Sequence, residues 1–149
     1  MYRIVLLALM CLSINGCTLD YPCPTSDARP LLYDAGQKVE HWHDLTSFFA
    51  TLNSYEGSGD PLILNALGFF YAAGFGDFPT DEERNKKVIA LYTQAARCGE
   101  TEAIQSLSQA YRFGRHGVEV REELANCLDD AATLDSFWAA RYAASCLRK

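Results

Sequence analysis

From Val39 to the C-terminus, apolar residues return every three or four positions, the period of a helix with one buried face. Val39, Trp42, Leu45, Phe49 and Leu52 form one such stripe and predict a helix over Lys38 to Asn53. Ser54 to Gly59 reads as a turn or loop. Asp60 suits a helix N-cap and Pro61 the first helical position. Ile63, Ala66, Leu67, Phe70 and Tyr71 then share a face, and Gly74 closes the helix. After a loop from Phe75 to Pro79, Thr80-Asp81-Glu82-Glu83 has the form of a capping box. It opens a helix with Val88, Leu91, Tyr92 and Ala95 inside and Gly99 at its end. Ala103, Leu107, Ala110 and Tyr111 mark the next helix, with Gly114 behind it, and Val120, Leu124, Cys127, Leu128 and Ala131 the one after. Asp135 or Ser136 caps a last helix reaching about Leu147, in which Trp138, Tyr142 and Cys146 recur every four residues. The expected class is all-α.

The same unit is written twice. Gly59-Asp60, Leu67-Gly68-Phe69-Phe70-Tyr71, Gly74 and Ala95-Ala96 return as Gly99-Glu100, Leu107-Ser108-Gln109-Ala110-Tyr111, Gly114 and Ala131-Ala132. The spacing is 40 from Leu67 to Leu107 (107 − 67) and 36 from Ala95 to Ala131 (131 − 95), so the first copy has four extra residues in its middle loop. A repeat of this length is the mark of a helical solenoid, in which each unit buries its face against the next. The expected divisions are a capping helix and loop over 38–58, repeats over 59–100 and 101–134, and a truncated third unit over 135–149 as terminal cap.

Charge and cysteines add an address. Arg3 is the only charged residue before Cys17, so the chain from Cys17 carries 12 basic and 19 acidic residues, or −7 against −6 for the whole. That balance excludes the basic footprint of nucleic-acid binding and leaves basic protein partners open. Met1 to Gly16 reads as a secretory signal: Arg3 is its positive start, and Ile4 to Leu12 an apolar core far short of the roughly 20 residues a membrane span needs. Residues 17–37 make a Pro-rich tether in which Pro22, Pro24 and Pro30 argue against a regular helix. Cys23, between two of those prolines, suggests that the tether is pinned to the folded body. With Cys11 in the signal, Cys23, Cys98, Cys127 and Cys146 remain beside Cys17. An even number in an exported chain suggests disulfides, with three pairings open.

Two resemblances follow from these residues. Ile14-Asn15-Gly16-Cys17 resembles the bacterial lipoprotein cleavage box, which implies a lipid anchor on Cys17; Thr18 at the next position implies the periplasmic face of the outer membrane. Leu-Gly-x-x-Tyr, a Gly-containing loop and a helix ending Ala-Ala-x-x-Gly-(Asp/Glu) resemble the Sel-1-like repeat, a relative of the tetratricopeptide repeat, over about Gly59 to Leu147. The second copy departs at Ser108 and Leu134. The resemblance implies a short right-handed α-solenoid of antiparallel helix pairs that binds other proteins and is no enzyme. On its register, Cys127 and Cys146, 19 apart, lie on neighbouring helices and pair, which leaves Cys23 to Cys98. The small residues Gly68, Ser108 and Ala143 fall where helices approach closely.

The expected partner-binding face is the outer side of each repeat's first helix: Asn65, Phe69 and Ala72, then Gln105, Gln109 and Arg112. Phe69, Phe75 and Phe78 are an aromatic excess that either serves this face or packs under the long loop. His41 and His43 are two apart, and residues so spaced on a helix do not share a face, so no metal site is expected; no cofactor is expected either. Gly74-Phe75-Gly76 lacks the Lys-Ser/Thr of a phosphate loop. His116 lies in a loop, and the cysteines lack zinc-ligand spacing. With no catalytic constellation in view, the expected role is a membrane-anchored periplasmic interaction module. An acidic, disulfide-bearing lipoprotein of this kind looks like an immunity protein neutralising a toxic effector, such as a lipase delivered by a type VI secretion system. The alternatives are an envelope scaffold or assembly factor and a small cell-wall or β-lactam hydrolase.

Overall fold

The computed structural model describes residues 23–24, 28–37, 39 and 42–148, without the side chains of 28, 29, 31, 32, 42 and 43. The signal, Cys17 and His41 lie outside this set, as do the side chains of Trp42 and His43. The described chain is all-helical: α1 (Ala28–Gln37), α2 (Trp42–Ser54), α3 (Pro61–Ala72), α4 (Asp81–Arg97), α5 (Thr101–Phe113), α6 (Glu122–Ala132) and α7 (Ser136–Cys146), with 3₁₀ turns at Glu56–Ser58 and Arg115–Gly117. None of these helices is long and apolar enough to cross a membrane.

Local chemistry explains most boundaries. Asp60 accepts from the Leu62 N–H at 2.9 Å with Pro61 at the first helical position, and Thr80 accepts from Glu83 N–H at 3.2 Å. Asp135 accepts from the N–H groups of Phe137 and Trp138. Two helices end in Schellman motifs: Gly74 and Gly99 take positive φ, and the following N–H groups return to Phe70 and Ala95. Three boundaries overturn expectations. The tether is helical over Ala28–Gln37, because Pro30 lies in the first turn, where an N–H has no intrahelical partner to lose. The next helix starts at Trp42, leaving Val39 outside it. Val120 also falls outside its expected helix and is exposed; α6 starts at Glu122.

Each of α3 to α7 packs against the next in chain order, and α4 also reaches α7. Ile63, Leu64, Leu67, Val88, Leu91, Ile104, Leu107 and Leu128 fill one continuous core. Gly68 lets α3 and α4 close: a Cβ there would lie 2.6 Å from the Tyr92 ring. At the corresponding place on α5, Ser108 is buried and its hydroxyl donates to the Ala125 carbonyl at 3.1 Å. Leu52 of α2 is buried against α3, and Phe49 meets Phe70, Tyr71 and Phe75 at 5.5–5.7 Å between ring centroids. The Tyr71 hydroxyl donates to Asn53 at 2.5 Å, and Lys87 of α4 pairs with Glu56, which locks α2 and its turn onto the first helix pair.

Two disulfides complete the frame. Cys127 on α6 joins Cys146 on α7, with Cα atoms 5.9 Å apart. Cys23 joins Cys98 at the end of α4, with Cα atoms 5.5 Å apart. Pro24 lies beside Gly59, so this segment crosses the mouth of the first helix pair.

Candidate binding groove

The outward faces of α3 and α5 border a groove of about 360 Å³. Leu62, Ala66 and Phe69 come from α3 at helical spacing, and Glu102 and Ser106 from α5. Phe70 and Tyr92 form its floor. Phe69 is 63% exposed, its ring held edge-on to Phe70 at 6.0 Å. Leu62 is 43% exposed on the same stripe. These two apolar groups stand in water on one rim, whereas Phe75 and Phe78 are part-buried. Phe75 packs on Phe49 and Phe70, and Phe78 stands edge-on to Tyr71 at 5.1 Å. The aromatic excess thus divides: two rings lie under the loop and one faces the groove.

One polar bridge spans the groove. Asn65 Nδ2 donates to Glu102 Oε2 at 3.1 Å and ties α3 to α5. Burial pushes the Tyr92 phenol above its ordinary range, while a hydrogen bond with the Ser106 side chain pulls it the other way. Glu102 and Tyr92 are the only titratable groups among the lining residues, and no cation stands among them. The walls can therefore hold an apolar body with a donor or cationic tip.

The five expected partner-binding residues are placed unequally. Asn65 and Phe69 meet in the groove, but Asn65 is only 9% exposed and its amide is engaged by Glu102, so it is a strut and not an outward contact. Gln105 and Gln109 lie on the exposed face of α5, where Gln109 accepts from Arg115 at 3.1 Å. Arg112 turns away to α6: its guanidinium donates to Asn126 at 3.0 Å and pairs with Asp129. Sequence reasoning missed Leu62, Glu102, Ser106 and Tyr92. The signal existed, because the spacing of 40 that relates Leu67 to Leu107 also carries Leu62, Ala66 and Phe69 onto Glu102, Ser106 and Gln109.

Among the described residues, no three His, Cys, Asp or Glu side chains gather as metal ligands. His116 is half-buried at positive φ (56°); burial, then the charges of Arg115 and Arg84, lower its pKa. Comparison with known proteins finds no matching family model, no matching curated protein and no matching solved structure.

Proposed function

We propose that this chain is a lipid-anchored periplasmic protein-binding module, a short α-solenoid of the Sel-1-like, tetratricopeptide-like kind. The observation that carries the reading is the groove. Adjacent first helices, related by the 40-residue spacing, face each other across a slot with Leu62 and Phe69 left exposed on its rim. Two helix pairs joined by a short Gly99-Glu100 turn support the repeat assignment, and the Gly16-Cys17 box supports the anchor. The acidic balance and the lone Glu102 carboxylate favour a partner that presents basic groups. Within this class the role is immunity: an anchored protein that masks a toxic effector arriving in the periplasm. This step is analogy from the resemblance and from the absence of a catalytic motif in the sequence.

The test uses a deletion strain complemented with the wild-type chain or with Phe69→Glu. Immunity predicts normal growth of the deletion strain alone and killing beside a toxin-producing competitor. The wild type restores survival, whereas Phe69→Glu, equally abundant, does not. An envelope defect in pure culture would replace immunity by a scaffold role, and full protection by Phe69→Glu would remove the groove from the partner interface.

A further inference from the structure

We propose that the exposed face of α7 lies on the lipid bilayer, as a second membrane contact beside the anchor. Phe137 and Trp138 are 50% and 56% exposed and stand edge-on at 5.2 Å. The Arg141 guanidinium carbon lies 5.7 Å from the Phe137 ring centre and 6.0 Å from that of Trp138, and Tyr142 follows one turn after Trp138 with 44% exposure. Trp138 and Tyr142, aromatic rings with a polar tip, and an arginine that can extend to the headgroups are the side chains that settle at a membrane–water boundary, and Phe137 adds apolar area beside them. The Arg141 cation beside the two rings suits an anionic surface. From Leu134 onward one acidic residue, Asp135, stands against Arg141, Arg148 and Lys149, in a chain with 19 acidic and 13 basic residues.

The reach of the tether favours lipid as the occupant. This step rests on the anchor reading of Cys17. Six residues lead from Cys17 to Cys23, a reach of at most about 20 Å for an extended chain. Cys23 is bonded to Cys98, and the next residue, Gly99, abuts the Ser136 carbonyl and the Ala140 N–H of α7. Phe137 and Trp138 belong to the first turn of that helix. The disulfide therefore fixes the root of the tether at the same end of the molecule as the aromatic pair. An anchor on Cys17 holds the bilayer within reach of that end.

The test uses the full chain, processed in its host, purified in detergent and reconstituted in phosphatidylethanolamine vesicles with a minority of phosphatidylglycerol. One set of vesicles carries a spin label high on the acyl chain. Trp138 emission is taken as the difference between wild type and Trp138→Phe, which cancels Trp42. The ring is exposed, so this variant should fold, and its circular dichroism checks that it does. Intact mass reports acylation of Cys17 separately. Acylated protein whose Trp138 signal falls on labelled but not on unlabelled lipid, as for a ring at headgroup level, supports the proposal. Acylated protein whose Trp138 is untouched by labelled lipid and open to aqueous acrylamide overturns it, leaves the anchor standing and gives the face to a protein. Unmodified Cys17 removes the anchor and the proposal with it.

Discussion

Gly74 and Gly99 make a matched pair for measuring how tightly α7 closes the molecule. Both end a helix in the same motif: after α3 the bonds are Gly74 N–H to Tyr71 O and Phe75 N–H to Phe70 O, each 3.0 Å. After α4 they are Gly99 N–H to Ala96 O at 2.9 Å and Glu100 N–H to Ala95 O at 3.1 Å. Both glycines have positive φ, 94° and 79°. Their surroundings differ. A Cβ at 74 meets nothing within 4 Å, whereas one at 99 would lie 2.0 Å from the Ser136 carbonyl oxygen and 3.2 Å from the Ala140 nitrogen. Gly74→Ala should cost only the left-handed strain, about 1 kcal/mol. Gly99→Ala adds a collision with backbone, which no rotamer relieves, and overpacking of this kind costs about 1–3 kcal/mol more. Urea denaturation of the two variants with disulfides intact should separate them by more than about 1 kcal/mol, with unchanged slope. Equal losses would refute the inference that α7 docks with its backbone against Gly99, and with it the adjacency on which the membrane-facing assignment rests.

Replacing Cys127 and Cys146 together by Ala should lower stability by about 3 kcal/mol, the chain-entropy value for a loop of this size, read from the same denaturation curves. His116 has a lowered folded pKa, so its contribution is complete above about pH 6.5, the unfolded value, and is lost as pH falls through the folded one. His116→Asn, which tolerates the left-handed backbone, should flatten that acid limb in melts between about pH 7 and pH 5. Tyr71 is shifted the other way, raised by burial and then by Glu56. Its contribution is complete below about pH 10 and is lost as pH rises through the folded value. Tyr71→Phe should remove part of the alkaline loss while costing about 1 kcal/mol at neutral pH for the bond to Asn53.

Helix existence was legible because the stripes and their punctuation agree. Asp60-Pro61, Thr80 to Glu83 and Asp135 each read as a start and each caps one. The helix in the tether was not legible, because proline's presence alone does not exclude a helix that holds it in the first turn, as α1 holds Pro30. At the groove, the expected face ran through Asn65, Phe69 and Ala72; the first two line it, but it opens on the side of Leu62 and Ala66 and leaves Ala72 out. Periodicity places a stripe to within about one residue, or 100° of arc, and only the neighbouring helix decides which side of it stays in water. Asn65 shows this best. It is polar and lies on the outward half of α3, yet Glu102 from the next first helix turns it into a buried strut. A contact 37 residues distant has no local signature.

In α7 the helix and its buried Ala143 and Cys146 were legible, but the side to which its rings turn was not. Trp138, Tyr142 and Cys146 are its largest apolar residues at helical spacing, and size alone puts them inside. Of these only Cys146 is buried, with Ala139, Ala140 and Ala143, and the two rings stay outside. Gly99 explains the inversion: where helix backbone abuts helix backbone, the interface has room for alanine and none for an indole. The staple from Cys127 to Cys146 offsets the small apolar area that such an interface buries, because it fastens the far end of the helix covalently. A terminal helix held by close approach and a disulfide is free to turn its large rings outward. Such rings would be a solubility liability in water, and the membrane contact proposed above would give them a use at the end of the molecule where Cys23 is bonded to Cys98.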